Sequence, residues 1–102
     1  MSRWIKVARS QQIKEKEPWS LVIDGKKIVL IRHRGCLTAF KDSCPHQGAP
    51  LSHGFVKDGQ ITCIYHGWKF NLDDGSFLSN GKLKLKSYGV KEQANEVFLE
   101  IE

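Results

Sequence analysis

The chain has 102 residues, a formal net charge of +5, and a composition that is 40% hydrophobic and 26% charged. These values describe one domain with a modest core, near the size at which a bound metal or cofactor often adds needed stability. They exclude low complexity. The N-terminal run M-S-R-W-I-K-V-A-R-S has no signal-like apolar stretch, and the longest apolar run, Ile28 to Ile31, is too short to cross a bilayer. No membrane span and a cytoplasmic location are expected. Three cysteines in no obvious framework fit a reducing compartment.

Strand signals dominate from the N-terminus onward. Trp4 to Ala8 alternates weakly. Ser10 to Lys16 is the one helix candidate, short and polar, with a turn or two expected. Trp19 to Ile23 and Lys26 to Arg32 flank Asp24-Gly25, a strong hairpin signal. Cys36 to Phe40 follows a turn at Gly35. Asp58-Gly59 punctuates a second hairpin, Gly54 to Lys57 with Gln60 to Cys63. Lys69 to Leu72 and Phe77 to Ser79 flank Asp73-Asp74-Gly75. Leu83 to Val90 and Val97 to Ile101 close the chain. Turns at this spacing predict an all-β antiparallel sandwich or barrel.

Two stretches carry chemistry: C-P-H-Q-G at 44–48 and C-I-Y-H-G at 63–67. Both fall at hairpin ends, and hairpin geometry brings their tips to one edge. Cys44, His46, Cys63 and His66 at this spacing suit zinc or an iron–sulfur cluster. The alternation separates the two. In a two-iron cluster held by two cysteines and two histidines, one iron takes both thiolates and the other both imidazoles. Each loop would then give one ligand to each iron, an interleaving that zinc does not need.

C-P-H-Q-G-A-P-L and C-I-Y-H-G-W-K-F resemble the two cluster-binding loops of the Rieske family, and the ending L-K-S-Y-G-V…V-F-L-E-I resembles the strands that follow them. The resemblance implies a Rieske [2Fe-2S] cluster. Cys44 and Cys63 would hold the buried iron, and His46 and His66 the outer one. It implies the Rieske fold over residues 1–102, with a small cluster-binding subdomain of roughly 42–80 inserted between strands. Pro45 would fix the backbone between two ligands. Gly48 and Gly67 would let amides approach cluster sulfurs. Pro50, Leu51, Trp68 and Phe70 would cover the cluster.

Departures from the family's high-potential members narrow the expectation. Ala49 and Tyr65 stand where those members carry an extra disulfide. Trp68 and Phe70 stand where they carry a serine and a tyrosine hydroxyl. With fewer hydrogen bonds to sulfur, the potential should lie near the low end of the Rieske span of about −150 to +300 mV. The loops look like those of the oxygenase-associated group. The implied function is a one-electron carrier, not itself an enzyme, between a flavin NAD(P)H reductase and a terminal oxygenase. The alternative is a small Rieske subunit of an oxygenase or nitrite-reductase-like complex. A complete oxygenase is not expected, since its mononuclear iron needs two histidines and a carboxylate, and only His33 and His53 remain.

The other candidates read as structure. His33 sits in a basic turn and is expected to be solvated, and His53 to lie at the loop surface. Cys36 is expected to be a small buried hydrophobe. Trp4, Trp19 and Tyr88 read as packing. Lys82, Lys84 and Lys86 alternate with Leu83 and Leu85, either as a solvated strand face or as a docking stripe for an acidic partner. Lysine dominates the cations and no aromatic residues interleave with arginine, so nucleic acid is not an expected partner.

Overall fold

The computed structural model describes residues 3–44, 48–64 and 67–101. Within them the chain is almost entirely antiparallel strand, arranged as three sheets. The first sheet joins β1 (Arg3–Arg9), β12 (Glu96–Ile101) and β11 (Val90–Gln93), in that order. The middle sheet has the order β10 (Ser87–Tyr88), β4 (Cys36–Lys41), β3 (Lys26–His33) and β2 (Trp19–Ile23). The third runs β5 (Phe55–Lys57), β6 (Gln60–Thr62), β7 (Lys69–Asn71), β8 (Ser76–Phe77) and β9 (Asn80–Lys84).

The run Ile28-Val29-Leu30-Ile31 explains the layering. All four residues are fully buried. Because strand side chains alternate in direction, a continuous apolar run must be covered on both faces. Ile28 and Leu30 pack with Val97, Leu99 and Ile101 of the first sheet. Val29 and Ile31 pack with Val56, Ile61 and Phe70 of the third. Strand β4 divides the same way, Ala39 to one core and Phe40 to the other. The middle sheet is thus the shared wall of two hydrophobic cores.

The hairpins predicted at Asp24-Gly25 and Asp58-Gly59 form as expected. Both central residues of each have positive φ, 51° and 77° in the first and 53° and 75° in the second, which matches the twist of the flanking strands. A further turn of the same kind, Ala94-Asn95 with φ 52° and 66°, joins β11 to β12. It contains no glycine and carries no turn signal in the sequence.

The candidate helix at Ser10 to Lys16, expected to make a turn or two, makes one, the 3-10 turn Ser10–Gln12. The Arg32 guanidinium takes the carbonyls of Ser10 and Ile13, and Lys16 N–H donates to the Arg32 carbonyl, so the segment is spent on binding β3 rather than on helical bonds. The run Leu83 to Val90 is not one strand. The chain leaves the third sheet after Lys84, serves the middle sheet as β10, and enters the first sheet as β11. Leu85 N–H donates to the Gly75 carbonyl, while the Lys86 carbonyl accepts from Lys41, so the changeover falls between these two residues.

Candidate metal centre

The two cysteine loops sit at the same end of the β5–β6 hairpin. Strand β5 pairs with β6 in the register Phe55↔Thr62, which sets Gly54 and Cys63 side by side at the open end. The contact is close: a Cβ on Gly54 would lie 2.0 Å from the Thr62 carbonyl oxygen. Cys44 and Cys63 are 2% and 1% exposed and belong to one apolar cluster with Leu51, Ile61 and Phe70. None of the three cysteines is in a disulfide.

The loops share a backbone plan. In each, the cysteine N–H donates to the carbonyl five residues on, Cys44 to Ala49 at 2.7 Å and Cys63 to Trp68 at 2.8 Å. In each, the residue four beyond the cysteine is a glycine with positive φ, 70° at Gly48 and 66° at Gly67. Among the described residues nothing crowds a side chain at either, so the backbone conformation is what calls for glycine there. His46 and His66, with Pro45, Gln47 and Tyr65, lie outside the described residues.

Supports that the sequence did not reveal surround this frame. Asp42, 6% exposed, accepts Ser52 N–H through Oδ1 and Ser52 Oγ–H through Oδ2, both at 2.7 Å. Ser52 lies in the 3-10 turn Leu51–His53, so this clamp spans the first loop from the end of β4. A lone aspartate ten residues from a serine carries no sequence signal. Around the second loop, Trp68 stacks on Phe77 with ring centroids 4.2 Å apart and planes 12° from parallel, and Phe70 packs on Phe77 at 5.3 Å. Leu51 and Phe70 have no exposed surface, as expected of cover residues, while Trp68 is half-buried.

The remaining candidates sort by position. Cys36 is exposed, not buried as expected. It opens β4 directly after the Arg34-Gly35 turn, at the end of the strand. His33, its cross-strand partner, is half-buried rather than solvated. Its Nδ1 is buried with no hydrogen-bond partner among the described residues, and its Nε2 lies 3.3 Å from where a Cβ on Gly59 would stand. Ring contact with the β5–β6 turn explains the burial. Trp19 and Tyr88 pack on the first core, and Trp4, 43% exposed, lies under the Lys91 ammonium at 4.4 Å. Lys82, Lys84 and Lys86 are exposed, whereas Leu85 is buried.

Two buried, unbridged thiols at the end of one hairpin, each at the start of a glycine-turned loop, form a soft-donor site suited to iron–sulfur chemistry. The comparisons with known proteins agree. The model of the Rieske [2Fe-2S] domain matches residues 3–89, and the chain belongs to that family. The domain binds a Rieske [2Fe-2S] cluster, and the donor residues present fit one.

Curated relatives include the oxygenase subunit of vanillate O-demethylase from Pseudomonas sp. strain HR199, 36% identical over 96 residues. That match covers 88% of this chain and 27% of the relative. The terminal oxygenase component of carbazole 1,9a-dioxygenase from Metapseudomonas resinovorans is 36% identical over 112 residues, covering 96% and 28%. The chain therefore spans about a quarter of the length of these relatives. Among solved structures, an oxygenase–ferredoxin complex of carbazole 1,9a-dioxygenase aligns with TM-score 0.87 and 33% identity over 95% of this chain and 28% of the other. A protein of Mycobacterium tuberculosis assigned as the small subunit of an NADH-dependent nitrite reductase aligns with TM-score 0.90 and 20% identity. It covers 100% of this chain and 97% of its own, a likeness of fold alone. Among the described residues no helix is long and apolar enough to cross a membrane.

Proposed function

We propose that this chain is a one-electron carrier rather than an enzyme. In this reading Cys44 and Cys63 hold the inner iron, His46 and His66 the outer iron, and the stretch from about 42 to 80 serves as the cluster-binding unit of a single domain. The reading rests chiefly on one observation: two loops of the same backbone plan present two buried cysteines from one end of one hairpin, within one apolar cluster. When bound, the cluster supplies a site that takes up and gives back a single electron. The chain's own residues hold and shield it. Leu51 and Phe70 exclude water behind the cysteines, the Trp68–Phe77 stack walls the second loop, and the Asp42–Ser52 clamp stiffens the first. A stiff frame suits electron transfer, because little rearrangement then accompanies the change of charge.

The partners in this reading are a flavin NAD(P)H reductase as donor and a terminal oxygenase as acceptor, in the cytoplasm. Support comes from the curated oxygenase relatives and from neighbours whose structures are oxygenase–ferredoxin complexes. Exposed Lys82, Lys84 and Lys86 suit an acidic partner. A second reading, a Rieske domain or subunit working inside an oxygenase or nitrite-reductase-like assembly, draws on the identity to terminal oxygenase components.

EPR of the dithionite-reduced protein tests the ligand set. Mixed nitrogen and sulfur ligation lowers the average g-value relative to an all-cysteine cluster, and an all-cysteine signal or a colourless zinc protein would sink the assignment. A protein that purifies alone and cycles between redox states supports the carrier, and obligate co-purification with a large catalytic subunit supports the second reading.

A further inference from the structure

The middle sheet and the first cysteine loop enclose a groove of about 480 Å³, lined by Lys26, Lys27, Lys41 and Lys86. These lysines come from distant parts of the chain and are drawn together by the backbone. The Lys27 carbonyl accepts from Asp42 N–H at 2.9 Å, and the Lys86 carbonyl accepts from Lys41 N–H at 2.8 Å. Gly48 and Pro50 of the first loop form one border and Tyr88 part of another. The Lys86 ammonium stands 5.5 Å from the Tyr88 ring centroid.

Among the described residues that line the groove, four lysines stand against one carboxylate, Asp42. The ion pairs Arg3–Asp24, Lys6–Glu96 and Arg32–Glu92 use none of Lys27, Lys41 and Lys86. Ser52 holds the Asp42 carboxylate in place through both oxygens, and that single charge offsets only part of the lysines'. Crowded like charges repel, and a partner of opposite charge relieves that cost.

We propose that this groove binds a carboxylate-bearing segment of an acidic protein partner, laid against the first cysteine loop. The proposal rests on the carrier reading and deepens it: Lys86 lies beyond β9, which ends at Lys84, so the expected single strand face of Lys82, Lys84 and Lys86 does not form, and the docking contact moves to a site to which only Lys86 of the three contributes. In the carrier reading the partner is a protein, and the protein group that complements a lysine-lined groove is a carboxylate.

The test uses the cluster-loaded protein and a labelled hexaglutamate peptide. Carbodiimide cross-linking read by mass spectrometry should place the peptide on Lys27, Lys41 and Lys86 of the unaltered protein. Fluorescence anisotropy should show about tenfold weaker binding for K27E/K41E, a loss of about 1.4 kcal/mol shared by two ion pairs and within the range of exposed pairs. K27Q/K41Q should fall between, and K82E/K84E should stay within about threefold of wild type. Equal or greater loss in K82E/K84E overturns the proposal. So do cross-links spread evenly over all lysines, or tighter binding of a single-stranded oligonucleotide of equal charge. Visible spectra before and after dithionite, on the same samples, judge the carrier reading separately. A reducible cluster with no groove dependence sinks the groove alone, and the absence of a reducible cluster sinks the carrier reading while the peptide data still decide the groove.

Discussion

Replacing Gly54 with alanine should separate the two cysteine loops. Gly54 lies in ordinary extended backbone, φ −82° and ψ −163°, so the conformation itself tolerates alanine. Space does not. The new methyl would stand 2.0 Å from the Thr62 carbonyl oxygen, 3.1 Å from the Thr62 carbonyl carbon and 3.2 Å from the Leu51 carbonyl oxygen. All three are backbone atoms, so no side chain can swing aside. Relief needs β5 or the Leu51–His53 turn to move from β6 by about 1 Å, a strain at the upper end of the usual overpacking cost, about 3 kcal/mol. For a domain of this size that lowers Tm by about 15 °C. Because β5 and β6 carry the two loops, iron content should fall with it. Thermal unfolding by circular dichroism and iron per protein are the assays. Gly81→Ala is the control, since a Cβ there meets nothing within 4 Å and φ is not positive. A G54A protein with the Tm and iron content of G81A would refute the steric argument.

Three further outcomes are expected. Asp42→Ala leaves the Ser52 N–H and hydroxyl without their acceptor, which should cost about 2 kcal/mol, or ~10 °C in Tm, and loosen the first loop so that iron is lost faster to a chelator; unchanged loss kinetics would show the clamp to be idle. Arg32, through hydrogen bonding, holds the Glu92 carboxyl below its ordinary range, so this contribution to stability is complete above that range and fades as pH falls through the lowered folded value. The Tm difference between wild type and Glu92→Gln should therefore shrink on acidification, and a constant difference would count against it. Cys36→Ser should leave the visible spectrum unchanged, whereas Cys63→Ser should abolish it; any loss of iron in the first variant would contradict the exposed, remote position of Cys36.

The sequence showed a good deal, because much of this molecule is decided locally. Asp24-Gly25 and Asp58-Gly59 are turns wherever they lie between apolar runs, and the two Cys-x-His and Cys-x-x-His stretches carry their donor types in the chain itself. The Ala94-Asn95 turn escaped notice because nothing in the residue pair demands positive φ; the pairing of β11 with β12 imposes it. Cys36 was misplaced because membership of a strand does not say how far the residue at its end is buried.

The sequence alone determined where most of the strands turn and which donor types the two cysteine loops carry, since φ preference and ligand chemistry belong to single residues and near neighbours. Only the tertiary structure decided that Asp42 clamps Ser52, that Leu83 to Val90 divides among three sheets, and that Lys27, Lys41 and Lys86 share one groove. Those outcomes depend on strand order and register, which arise from the joint burial of distant apolar faces and leave no mark in any short stretch of chain.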